Sequence, residues 1–168
     1  MKKVLIGSAL ILTILLIILL FVPINFNIDR VVIAQTANML IPDETEEIKI
    51  IIQGRYSFYL FRANQFNGRM IIEGYEFTQQ TTAHFSSSLD ILRYHRQIDN
   101  QLETLLFGDI RTSFLLRNID IVVYNRKEES NLQGGHINME IDDNVFISTG
   151  NILNRYNQLM EILRKQYQ

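Results

Sequence analysis

Ile48-Lys49-Ile50-Ile51-Ile52-Gln53-Gly54 is the stretch on which the fold turns. Ile48, Ile50 and Ile52 alternate with Lys49, Ile51 and Gln53, which puts one apolar row on one side of a strand. β-Branched side chains suit that pleated surface better than a helix. Tyr56 to Phe66 continues with aromatics, Asn67-Gly68 follows, and Met70 to Phe77 is apolar again. Asn-Gly between two such runs predicts a hairpin turn at that point, because both central residues of a type I′ turn need positive φ. Ile51-Ile52-Gln53-Gly54 is echoed by Ile71-Ile72-Glu73-Gly74. Two copies fall short of the roughly three units that a repeat architecture needs, so they read as two strands in one vocabulary.

Downstream, Thr81, Ala83 and Phe85 alternate with Thr82, His84 and Ser86, which predicts a strand with one wet face. Leu89 to Leu105 supports two readings: a helix through Leu89, Leu92, Ile98, Leu102 and Leu105, or a strand at Ile91–His95 followed by a loop from Arg96 to Glu103. Strands are expected near Leu105–Arg111 and Asn118–Tyr124, a solvent loop at Asn125–Gly135, and a half-buried strand through Ile137, Met139 and Ile141. The period then changes. Ile152, Leu153, Tyr156, Leu159, Met160 and Leu163 recur at three- and four-residue steps, with Ser148, Thr149 or Asn151 to cap the start and Arg164 and Lys165 suited to the helix dipole at the end. That helix should pack its apolar face on the sheet.

Upstream, Asn25 to Pro42 is mixed. Ile28, Val31, Val32, Gln35 and Met39 line a helical face, while Val31 to Ile33 equally suits the start of a strand; the reading adopted is a short helix, with the folded domain beginning near Glu47. Val4 to Ile24 is apolar apart from Gly7, Ser8, Ala9, Thr13 and Pro23, and its length of about 20 residues matches a hydrocarbon core roughly 30 Å thick. Its sixteen Leu, Ile, Val and Phe residues favour insertion by on the order of 5 to 10 kcal/mol. A cleavable leader would have a shorter apolar run and an Ala-x-Ala-like cut, and Phe21-Val22-Pro23-Ile24-Asn25-Phe26 offers none. A pilin-type helix would carry an early glutamate, which this run lacks. Lys2 and Lys3 on one flank face only Arg30 near the other, followed by Asp43, Glu44, Glu46 and Glu47, so the amino terminus is expected in the cytoplasm.

These elements predict an α+β chain: an N-terminal transmembrane helix, then one antiparallel β-sheet or partial barrel packed by a C-terminal amphipathic helix. Its divisions are a cytoplasmic tail at 1–3, an anchor at 4–24, a juxtamembrane segment at 25–46 and an extracytoplasmic domain at 47–168.

The 168 residues contain no cysteine, which excludes disulfides, a thiol nucleophile, a cysteine zinc site and a lipidated cysteine anchor. The formal net charge of −2 becomes −4 without Lys2 and Lys3, so the overall balance gives no electrostatic drive towards nucleic acid or anionic lipid, for which a basic face would be the footprint. No Walker or dinucleotide pattern is present, and no cofactor is expected. His84, with Ser86, Ser87, Ser88 and Asp90 nearby, invites a hydrolase triad but lacks a Gly-x-Ser-x-Gly elbow. His136 and Glu140, with Asp142 and Asp143, are metal candidates. On a strand, positions four apart are about 13 Å apart, too far for one ion, so a turn is the better role for the acids. Among the aromatics Tyr56, Phe58, Tyr59, Phe61, Phe66, Tyr75 and Phe77 roughly half should be core, and Tyr56, Tyr59, Phe61 and Tyr75 are the candidate partner surface.

The Lys-Lys-initiated anchor, Gly54 to Phe61, Phe66-x-Gly68, Ile72-x-Gly74-Tyr75 and Phe107-Gly108-x-Ile110 together resemble small uncharacterised single-pass membrane-anchored proteins of Gram-positive bacteria. The resemblance implies a cell-envelope setting and no activity. The expected partners are the lipid bilayer, through Val4 to Ile24, and an envelope protein. The leading expectation is a non-enzymatic binding or accessory module, with a membrane-tethered hydrolase using His84 or His136 as the alternative. A ligand-sensing ectodomain would need more than Met1–Lys3 to signal inside the cell.

Overall fold

The computed structural model describes residues 11–13, 22–38, 40–41, 44–86, 88–98, 101–124 and 145–166. Its strands follow one another in chain order: β1 (Ile24–Asn38), β2 (Thr45–Phe58), β3 (Gln65–Ile72), β4 (Thr82–Ser86), β5 (Ser88–Ile98), β6 (Gln101–Thr112), β7 (Ile119–Val123) and β8 (Val145–Ser148). Each is antiparallel to the next and β8 pairs back onto β1, so the sheet closes into an eight-stranded barrel with one helix, α1 (Ile152–Gln166), outside it. β1 pairs with β2 from Ile24↔Phe58 to Ala37↔Thr45 but meets β8 only from Gln35 to Asn38, the stagger that tilted strands need to close.

A barrel of eight strands either fills with side chains or leaves room for one small ligand. Here side chains fill it. Ile50, Ile52 and Tyr56 of β2, Phe66 and Met70 of β3, Phe85 of β4 and Leu92 and Tyr94 of β5 are all sealed from solvent in one cluster. Tyr94 donates its hydroxyl to the Met70 carbonyl at 2.8 Å, which satisfies a polar group that burial otherwise penalises; burial also pushes its phenol far above the usual range. Both rims are plugged with aromatics. At one, a 3-10 turn (Glu76–Gln79) sets Phe77 edge-on to Tyr94 at 5.4 Å. At the other, the β6–β7 loop inserts Phe114 edge-on to Tyr56 and Phe58 at 6.0 and 5.5 Å, with Leu115 and Leu116 held at φ of 54° and 56°.

Ile48 to Gln53 lies in β2 with Ile50 and Ile52 inward, as its alternation requires. The alternation at Thr81–Ser87 likewise becomes β4, with Ala83 and Phe85 buried. α1 starts behind Asn151, whose Oδ1 accepts the Asn154 N–H at 3.1 Å, and packs Ile152, Leu159 and Leu163 on Ala37, Val122 and Phe146.

Several expectations are corrected. Asn25–Pro42 is not a short helix; it is most of β1, whose alternate residues Phe26, Ile28, Val32 and Ala34 join the barrel core. Tertiary pairing along β2 overrides the helical spacing, and the barrel therefore begins at Ile24 instead of near Glu47. Asn67-Gly68 is not a turn either. Gly68 sits inside β3 opposite Gly54, and a Cβ on either would come within 2.6 Å of the other's Cα, so close approach of two strands is what demands glycine there. The β2–β3 turn lies at 59–64, and among the described residues the glycine with positive φ is Gly74, at 85°. β3 ends at Ile72, so Tyr75 and Phe77 belong to the rim and not to a strand. Of the two readings of Leu89–Leu105 the helix is overturned and the strand at Ile91–His95 is found within β5, but the loop expected from Arg96 to Glu103 is corrected: the β5–β6 ladder continues through Arg96↔Glu103 to Ile98↔Gln101.

Among the described residues no helix is long and apolar enough to cross a membrane. Most of the expected span lies outside them, and Ile24, expected as its last residue, is the first residue of β1. The loop expected at Asn125–Gly135 and the strand through Ile137–Ile141 also lie outside the described residues.

Candidate functional site

β7 reads Ile119-Asp120-Ile121-Val122-Val123. Its alternation sends Ile119, Ile121 and Val123 into the barrel and leaves Asp120 and Val122 on the outer face, where α1 covers Val122. Asp120 is consequently only 2% exposed. A carboxylate so placed needs hydrogen-bond donors. Its cross-strand neighbour Ser148 donates from Oγ to Oδ1 at 2.6 Å, and Arg155 of α1 brings Nη1 within 3.6 Å of Oδ2. The charge-assisted bond from Ser148 is the stronger of the two, since Arg155 is part-exposed and its contact is long. Gly150 N–H donates to Ser148 Oγ at 3.0 Å, and Ile119 N–H to Thr149 Oγ1 at 2.9 Å, so the short connection from β8 to α1 is fixed against β7.

On its other side Asp120 is paired in register with Arg111 of β6, which itself faces Leu89 of β5. Between this row, α1 and the β6–β7 loop lies an open groove of about 540 Å³, with Leu89 and Ile162 as apolar walls and Arg111, Asn118, Asp120 and Arg155 as polar ones. Arg111 Nη1 is buried and makes no hydrogen bond among the described residues. Two guanidinium groups against one carboxylate leave the groove cationic, and that carboxylate is already committed to Ser148 and Arg155. Such an arrangement suits an incoming carboxylate or phosphate, which a guanidinium binds through paired N–H groups.

The expected partner surface does not assemble. Tyr56 is fully buried inside the barrel against Phe114, because its position on β2 is an inward one, and it is corrected to core. Tyr75 is half-buried at the opposite rim, its ring edge-on to Phe107 at 4.9 Å and its phenol pushed up by burial. Tyr59 and Phe61 share the β2–β3 turn, where Tyr59 N–H donates to Asn64 Oδ1 at 2.8 Å.

His84 lies on the outer face of β4 with its ring 6.3 Å from that of His95, whose Nδ1 is 2.9 Å from Thr104 Oγ1. Among the described residues no triad forms around His84. Asp90 accepts the Ser86 and Ile91 N–H groups at 2.6 and 2.8 Å and pairs with Arg93, so its carboxylate serves the β4–β5 turn. His136, Glu140, Asp142 and Asp143 lie outside the described residues, and among the described ones no three His, Asp or Glu side chains are grouped for a metal ion.

Arg111, Asp120 and Arg155 were not singled out from the sequence. One signal was present: an aspartate inside the apolar run Ile119–Val123, where a charge must have a partner. Neither a protein-family model, nor a curated protein, nor a solved structure matches this chain.

Proposed function

We propose that this chain is a single-pass membrane protein, its amino terminus in the cytoplasm and its barrel on the far side, acting as a non-enzymatic binding module of the cell envelope. The module recognises an acidic segment of an envelope protein through the groove beside α1. The unpartnered Arg111 Nη1, next to Arg155, carries this reading. A buried guanidinium N–H without an acceptor costs free energy, which an acceptor brought by water, an ion or a ligand would relieve, and the open groove beside Arg111 gives a ligand access to it. The filled barrel supports it as well, since recognition is then left to the outer surface. Val4 to Pro23, with Lys2 and Lys3 behind it, supports the placement.

The test is a photoreactive residue in place of Asn118, in full-length protein in intact membranes. The expected result is a protein adduct that a Glu-rich peptide competes away and that Arg111→Gln abolishes. No adduct, or one indifferent to Arg111→Gln, would overturn the groove as the binding site. Arg111→Gln itself should leave the melting temperature nearly unchanged.

A further inference from the structure

We infer that the rim of the barrel where β1 begins rests on the lipid bilayer, with Leu60, Phe61 and Phe114 seated at the acyl boundary and Arg62 and Arg117 among the lipid phosphates. This rests on the proposed anchor. Up-and-down connectivity brings the start of β1, the β2–β3 turn (59–64), the β4–β5 turn and the β6–β7 loop (113–118) to one rim. There Phe61 is 68% exposed, Leu60 54%, Phe114 49% and Ile24 47%. Ile24 and Phe114 join through the strands: Ile24 pairs with Phe58, and Phe58 and Phe26 hold the Phe114 ring edge-on at 5.5 and 6.3 Å, while Leu60 and Phe61 follow Phe58 directly in the β2–β3 turn. Large apolar side chains gathered at one end mark a surface that meets something.

Chain entry and charge say what it meets. Pro23 directly precedes Ile24, so the apolar run reaches the barrel with no linker, and this rim must stand close to the hydrocarbon boundary. Its loops contain Arg62 and Arg117, both exposed; the one acid serving them, Asp90 at the β4–β5 turn, is paired with Arg93. The opposite rim also exposes apolar groups, Leu40 and Ile41 among them, so exposure alone does not choose between the two. Its loops 39–44, 73–81 and 99–100, however, contain Asp43, Glu44, Glu73, Glu76 and Asp99 and no Lys or Arg. An anionic leaflet repels that end and attracts the arginine-bearing one.

The chain lacks cysteine, so Phe61→Cys, Leu60→Cys and the opposite-rim control Leu40→Cys can each carry one environment-sensitive fluorophore. Full-length protein is reconstituted into vesicles of phosphatidylcholine and phosphatidylglycerol. The expected result is that all variants float with the vesicles, that a lipid-borne nitroxide dims the labels at 60 and 61 and not at 40, and that aqueous iodide does the reverse. Flotation with the labels at 60 and 61 open to iodide overturns the rim assignment and leaves the anchor standing. Failure to float overturns the anchor and the rim together. Labels at 60 and 61 shielded from both quenchers mean that protein, such as a second copy of the chain, covers the rim, which also overturns the inference.

Discussion

The same strands build two buried layers that differ in chemistry. Inside the barrel, Ile50, Phe66, Phe85, Leu92 and their neighbours interlock as shapes; Tyr94 finds one carbonyl acceptor, while the Tyr56 hydroxyl and two Arg30 guanidinium nitrogens are buried without a hydrogen bond among the described residues. On the outer face under α1, apolar Val122 and Phe146 share space with Asp120 and Ser148, which fix the helix through directional bonds. The interior therefore decides whether the chain folds, and the outer layer decides where α1 sits and so whether the groove exists. Lesions in the first should unfold the whole domain, and lesions in the second should release one element.

Phe85→Ala is the strongest way to break that distinction. It empties a ring-sized space stacked on Phe66 and should cost about 3 to 5 kcal/mol in urea denaturation with a single cooperative transition. A loss below about 1 kcal/mol would mean that the interior is loose. Asp120→Ala comes next, at about 2 to 3 kcal/mol, because it leaves the Ser148 hydroxyl and the Arg155 guanidinium without their acceptor. Amide exchange should quicken in Ile152–Gln166 and stay slow in β2 and β3; equal quickening everywhere would erase the division between the layers.

Gly68→Ala tests the interior differently, by adding a methyl group where Gly54 already stands, and should cost about 1 to 3 kcal/mol. Gly74→Ala meets open space and strains only its positive φ, for about 1 kcal/mol. If the second cost more than the first, close approach would not be the reason for Gly68.

The smallest effect is pH-dependent. Burial raises the Asp90 carboxyl, but the Ser86 and Ile91 N–H groups, the Arg93 charge and the Ser86 hydroxyl outweigh it and hold the group below the usual carboxylate range. Its stabilisation is thus present above the unfolded-state value and is lost as pH falls through the folded one. Asp90→Asn should cost about 1 kcal/mol at neutral pH, with the gap closing in acid. Asp109 has the opposite sign: burial raises its carboxyl, the Tyr124 hydroxyl opposes and the Asp90 charge adds. Asp109→Asn should then stabilise the protein at neutral pH, and the gain should vanish in acid.

Legibility followed the range of the interactions. Ile48–Gln53 and Thr81–Phe85 state their period locally, and so does the Ile152–Leu163 helix; all three appear where the pattern puts them. β1 was missed because Val31-Val32-Ile33 fits helix and strand alike, and only its ladder with β2 decides. Asn67-Gly68 misled because glycine serves two ends, positive φ and absence of a side chain, and spacing does not separate them. Barrel closure rests on Gln35–Asn38 meeting Val145–Ser148, a pairing more than a hundred residues apart in the chain. The groove is less legible still, since Arg111, Asp120 and Arg155 come from three elements that meet only once that closure and the docking of α1 are in place.

The stagger at closure also fixes how the domain carries load. A tug on the amino terminus enters β1 at Ile24 and runs along one continuous strand, in shear against the full length of β2. Its shortest route to the helix-bearing side crosses the short seam at Gln35–Asn38, where Gln35 faces Ser148, the same serine that holds Asp120. Of the two ladders that hold β1, this four-residue seam is much the shorter, so it is the one a pull on β1 should part first.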